Sequence, residues 1–117
     1  MADVTIKLSD EQRKWLAGAT NGVGNWCFLD WMLSGMVTEK TVIDIRGNKL
    51  TLEPRQVNGS VNSCSLHFNL DRAVIREVYA QMQSLGLIRI IPRGRVTTIL
   101  YMECVLDNPQ AVDNVTP

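Results

Sequence analysis

Five arginines fall between positions 72 and 95: Arg72, Arg76, Arg89, Arg93 and Arg95. A guanidinium is a fixed fork of donors. It can engage guanine O6 and N7 together, or grip a phosphate. Only Asp71 and Glu77 oppose these arginines within residues 70–101, so that stretch carries a net +3. Residues 1–69 balance seven basic against seven acidic side chains. Residues 102–117 hold Glu103, Asp107 and Asp113 and no base, a net −3. The chain as a whole is neutral. Its positive field is therefore local, and non-specific binding to nucleic acid is expected to be weak at physiological salt.

Other chemistries find little to build on. Cys27, Cys64 and Cys104 are widely spaced, no C-x-x-C occurs, and His67 is the single histidine. A structural zinc site takes about four ligands, so no metal is expected, and the cysteines read as free thiols. Cys64 and His67 stand three apart with no evident third group to orient the base. Gly22-Val23-Gly24 lacks both the third glycine of a dinucleotide turn and the Gly-Lys-Thr of a phosphate loop, and reads as a helix break. No catalytic residue and no cofactor is expected.

The elements that must position the arginines are legible. Ile75, Val78, Tyr79 and Met82 recur at i, i+3, i+4 and i+7, and Leu85 extends the stripe, which is one face of an amphipathic helix. Asp71 suits its N-cap, where a carboxylate accepts from free backbone N–H groups. Gly86 suits the left-handed position just past its end. Residues 87–91 then read as a strand, residues 92–95 (Pro-Arg-Gly-Arg) as a turn, and residues 96–101 as a second strand. Upstream, Ser60 can cap a short helix over residues 61–68, with Val61, Cys64 and Phe68 facing inward. Asn69-Leu70 makes a tight turn, since asparagine tolerates the left-handed conformation.

The N-terminal half is rich in tryptophan. Ser9 and Gln12 have the spacing of a capping box for a helix over residues 10–19, anchored by Trp15 and Leu16. A second helix is expected over residues 25–36, with Trp26, Leu29, Met32 and Leu33 at helical spacing and Cys27, Phe28 and Trp31 between them. A helix apolar nearly all round is buried on more than one side. It is either a central core helix or part of a homodimer interface built on Trp15, Trp26, Trp31 and Met32, the commonest pairing being two-fold. Residues 41–45 and 50–53 read as a hairpin closed at Pro54, and residues 55–59 as a linker.

The stretch Leu52-Glu-Pro-Arg-Gln56 to Ser60, then Phe68-Asn-Leu-Asp71, Ile75-Arg76, Leu85-Gly86-Leu87-Ile88 and Arg95-Val-Thr-Thr-Ile99, resembles winged-helix DNA-binding domains of bacterial and phage origin. The style is that of the N-terminal domains of phage and plasmid replication initiators and replisome organisers. The second half is also similar to GntR-like and MarR-like regulators. The resemblance spans roughly the second half of the chain. Arg55 stands where the replication type often has glycine, Asn69 where it has glycine, and Asp71 where it has serine or threonine. The resemblance implies an α+β winged helix-turn-helix with extra N-terminal helices and a C-terminal β-hairpin wing. It implies double-stranded DNA as partner. Arg72, Ala73 and Arg76 would lie in the major groove, Arg93, Gly94 and Arg95 at the wing, and Gln56 and Ser60 near phosphate. The alternative is a winged-helix module for protein–protein assembly without DNA.

Length and composition agree with one domain. The 117 residues are 45% hydrophobic and 21% charged, ordinary for a globular chain. A single domain is expected over residues 1–106, followed by a polar, non-periodic tail at 107–117 expected to be disordered. No apolar run reaches the roughly 18 residues that span a membrane, and Met-Ala-Asp-Val-Thr-Ile-Lys has no signal-like apolar core. A cytoplasmic location is the expectation. The task expected is transcription control, replication or plasmid partition.

Overall fold

A computed structural model describes residues 4–93 and 97–106. The described residues form a mixed α+β structure of four helices and three small antiparallel sheets. The expected tail at 107–117 and the tip of the second hairpin lie outside them.

Helix α1 (Asp10–Leu16) starts on the expected capping box. The Gln12 N–H donates to Ser9 Oγ and the Ser9 N–H to Gln12 Oε1. It stops before residue 19, because Ala19–Thr20 (β1) pairs with Val23–Gly24 (β2). Asn21 and Gly22 between them have φ of 49° and 87°. Two successive left-handed residues make the tight turn whose twist suits a hairpin. What reads as a helix break is therefore a miniature hairpin.

Helix α2 (Asn25–Gly35) crosses the centre of the protein. Phe28, Leu29 and Met32 have no exposure. Its buried stripe is Asn25, Phe28, Leu29 and Met32, not the expected Trp26, Leu29, Met32 and Leu33; Trp26 points outward and is 43% exposed. Asn25 is tolerated inside because its amide donates to Trp15 O and its carbonyl accepts from Thr20 Oγ1.

β3 (Thr41–Ile45) and β4 (Asn48–Leu52) form a separate hairpin in the register Thr41↔Leu52 to Ile45↔Asn48. Its turn is only Arg46-Gly47, again both left-handed, so β4 begins two residues earlier than expected. At the base of this hairpin the Val37 N–H donates to Gln56 O and the Arg55 N–H to Val37 O.

Residues 55–59 are not a linker. Glu53-Pro54-Arg55-Gln56 closes a turn, with the Gln56 N–H donating to Glu53 O and Arg55 at φ 70°. Proline at the second position and a left-handed third residue are the type II pattern. Gln56–Asn58 (β5) then pairs with β7 (Thr97–Tyr101), which pairs on its other side with β6 (Arg89–Arg93). The sheet order is β5-β7-β6. Gly59 follows because a Cβ there would lie 2.4 Å from Leu100 Cγ. Pro92 sits within β6, which the sequence alone reads as ending at residue 91. An edge strand accommodates a residue that cannot donate.

Between β5 and β6 run α3 (Val61–Phe68) and α4 (Arg72–Ser84). Ile75, Val78, Tyr79 and Met82 are buried together with Leu16, Phe28, Met32, Val57, Cys64 and Leu100 in one apolar cluster. The ends of the described chain also meet there: the Lys7 N–H donates to Cys104 O and the Leu106 N–H to Thr5 O. No helix among the described residues is long and apolar enough to cross a membrane.

Candidate nucleic-acid interface

The joint between α3 and α4 fixes where α4 begins. Asn69 is left-handed (φ 55°, ψ 49°), its N–H and that of Leu70 donate to Ser65 O, and the Ser65 hydroxyl donates to Leu70 O. Ser60 caps α3 by accepting from the Ser63 N–H at 3.1 Å. Asp71 holds the N-cap position of α4 with extended backbone angles, but its carboxylate makes no capping hydrogen bond. The cap expected there is one of position only. Gly86, at φ 78°, terminates the helix as expected.

Burying the Ile75–Met82 stripe leaves the opposite face of α4 in solvent. Arg72, Ala73 and Arg76 are exposed on its first turns. At 3.6 residues per turn, Arg72, Arg76 and Gln83 fall within roughly 40° of one another around the helix. Gln83 Oε1 accepts from the Ile90 N–H of β6 at 2.8 Å. The flank bearing both arginines is thus the flank tied to the β6–β7 hairpin. The opposite flank is occupied by Gln81, whose Oε1 accepts from Trp15 Nε1 at 2.8 Å.

Arg93 is exposed at the end of β6. Gly94 and Arg95 lie outside the described residues. Among the described residues, Arg72, Arg76 and Arg93 take part in no ion pair, so their donors are available to an external anion. Arg89 is engaged: it pairs with Glu103 at 3.4 Å and lies 4.8 Å from the Tyr101 ring centroid.

Two of the expected site residues are placed elsewhere. Gln56 is buried at 8% exposure, with Oε1 accepting from the Glu53 N–H. Its side chain secures the turn before β5 and does not face solvent. Met32 has no exposure and belongs to the core, so it cannot contribute to an interface between copies. Trp15 is half-buried and tied to Gln81. Of the expected interface set, Trp26 and Trp31 line a groove between α2 and α3.

Arg55 escaped sequence reasoning. Its Nη1 donates to Val105 O at 2.7 Å, and its guanidinium lies over Tyr101. The signal was present as an arginine in a position that prefers glycine after Pro54. The thiols differ in kind. Cys27 is exposed, whereas burial pushes Cys64 and Cys104 each up to about 11. Tyr79, beside Cys64, is also pushed upward, chiefly by burial. Its buried hydroxyl makes no hydrogen bond of good geometry among the described residues.

Comparison with protein-family models, with curated proteins and with solved structures yields no match.

Proposed function

We propose that this chain is a winged helix-turn-helix protein that binds double-stranded DNA, with α4 as recognition helix and the β6–β7 hairpin as wing. The observation that carries the reading is the pair Arg72 and Arg76, exposed and without ion pairs among the described residues, on the first turns of a helix and flanking its buried stripe. Helices of this kind read base edges with their N-terminal residues. The order strand, helix, tight turn, helix, then two strands of the same sheet supports it. So does the charge, since the positive excess lies in that stretch. Ala73 between the arginines leaves room for close approach to a base edge, and Arg93 stands at the wing to meet phosphate.

The free carboxylate of Asp71 and the neutral total charge temper the electrostatic attraction. Binding then depends on base contacts more than on bulk field. The test is a gel shift of the full chain against random genomic fragments at roughly 50 and 200 mM salt. A subset of fragments retained at the higher salt supports sequence-specific binding. Absence of any shift at the lower salt refutes it.

A further inference from the structure

A groove of about 620 Å³ lies between α2 and α3, and its lining includes Trp26, Asp30, Trp31, Ser34, His67 and Phe68. Its walls are mostly rings. Trp31 lies 6.4 Å from His67 and 6.5 Å from Phe68 between centroids, and His67 and Phe68 meet edge to face at 4.6 Å. Phe68 is anchored in turn on the buried Phe28 at 4.8 Å. Trp26, also in the lining, has 43% of its surface in solvent.

Among the described residues the lining has a single acidic residue and neither lysine nor arginine. Asp30 is exposed there and takes part in no ion pair among the described residues. Faces of tryptophan attract cations through the ring quadrupole, and a carboxylate beside them adds charge of the same preference. An anion would meet the negative faces of the rings and Asp30 together. The volume falls within the roughly 300–1,000 Å³ typical of small-molecule sites. We infer that this groove binds a hydrophobic organic cation, such as a quaternary or arylated onium, with its charge at Asp30 and its apolar groups on Trp26 and Trp31.

Cation binding there needs no nucleic acid, so the whole free chain is the right material. The probe is tetraphenylphosphonium, with tetraphenylborate as an ion of the same shape and opposite charge. Tryptophan fluorescence is followed in a Trp15→Phe background, leaving only Trp26 and Trp31 to report. Saturable quenching by the cation below about 1 mM is expected, with the anion at least about tenfold weaker, a difference of one decade in Kd. Asp30→Asn should weaken the cation roughly three- to tenfold, in keeping with a partly solvated charge contact, while leaving the anion unchanged or improved. Trp26→Ala, an exposed position, should also weaken it without loss of fold. Protection of Cys27, another lining residue, from thiol reagents gives a second readout. Equal binding of both ions, no saturation by about 1 mM, or an Asp30→Asn variant with unchanged cation affinity would overturn the site. So would a doubled mass in light scattering that Trp26→Glu returns to monomer, since a second copy would then fill the groove.

Discussion

The guanidinium of Arg55 lies over the ring of Tyr101, 4.7 Å from its centroid, while the Arg55 backbone is held at φ 70°. A left-handed residue other than glycine costs roughly 1–2 kcal/mol. Here the side chain offsets that cost with a bond to Val105 O and the ring contact. Arg55→Ala keeps the unfavourable backbone and loses the contacts. Arg55→Gly loses the contacts but relaxes the backbone. Urea denaturation should rank wild type above Arg55→Gly and Arg55→Gly above Arg55→Ala by about 1 kcal/mol. Equal stability of the two variants would show that the left-handed angle carries no cost.

The major-groove contact is tested by Arg72→Ala and Arg76→Ala. Each should cost about 1–3 kcal/mol in affinity for a selected DNA site if the contact is bidentate. Both positions are exposed, so circular dichroism and melting should not change. A double variant with undiminished affinity removes α4 from the interface.

The wing makes a different prediction. Replacing Arg93 and Arg95 together should weaken binding to all sequences alike, and the slope of log K against log[salt] should flatten by roughly two units. An unchanged slope means that the hairpin does not touch phosphate.

Thiol chemistry divides the cysteines. Cys27 should react with an aromatic disulfide reagent in the native protein, and Cys64 and Cys104 only on unfolding, because both are buried. The same burial sets an alkaline limit. Unfolded thiols ionise near 9.0, whereas folded Cys64 and Cys104 hold their protons to about 11. Unfolding therefore releases protons across that interval. Stability is complete below about pH 9 and falls as pH rises toward about 11. A urea midpoint that stays flat from pH 8 to about 10.5 would contradict this, as would fast reaction of all three native thiols.

Periodicity made much of this architecture legible. Where one face packs against a single core, as in α4, the spacing of Ile75, Val78, Tyr79 and Met82 reports burial directly. The capping box at Ser9 and the left-handed Asn69 are local, and were equally readable. Helix α2 was not, because apolar residues surround it and any of several stripes fits. Trp26 proved to be outside and Met32 inside. β5 is three residues long and exists only through pairing with β7, forty residues away, so nothing local announces it. Asn21-Gly22 carries a local hairpin signal, but in a glycine-rich stretch the same residues equally suit the end of a helix. Of the proposed contacts, Arg72, Ala73, Arg76 and Arg93 are exposed. Gln56 is buried next to the equally buried Val57, so alternation along the strand does not account for it; its side-chain oxygen is needed to hold the turn.

The two hydrogen bonds that join Val37 to Arg55 and Gln56 bring the ends of the β3–β4 hairpin to one point. The main apolar cluster takes no member from residues 38–54. That segment, whose one buried side chain is Leu52, is therefore a hairpin hung on a closed neck. Since the loop ends are already fixed together, changing its length adds little closure entropy. Its outer part, away from the buried Leu52, can change in length while β5 keeps its register on β7.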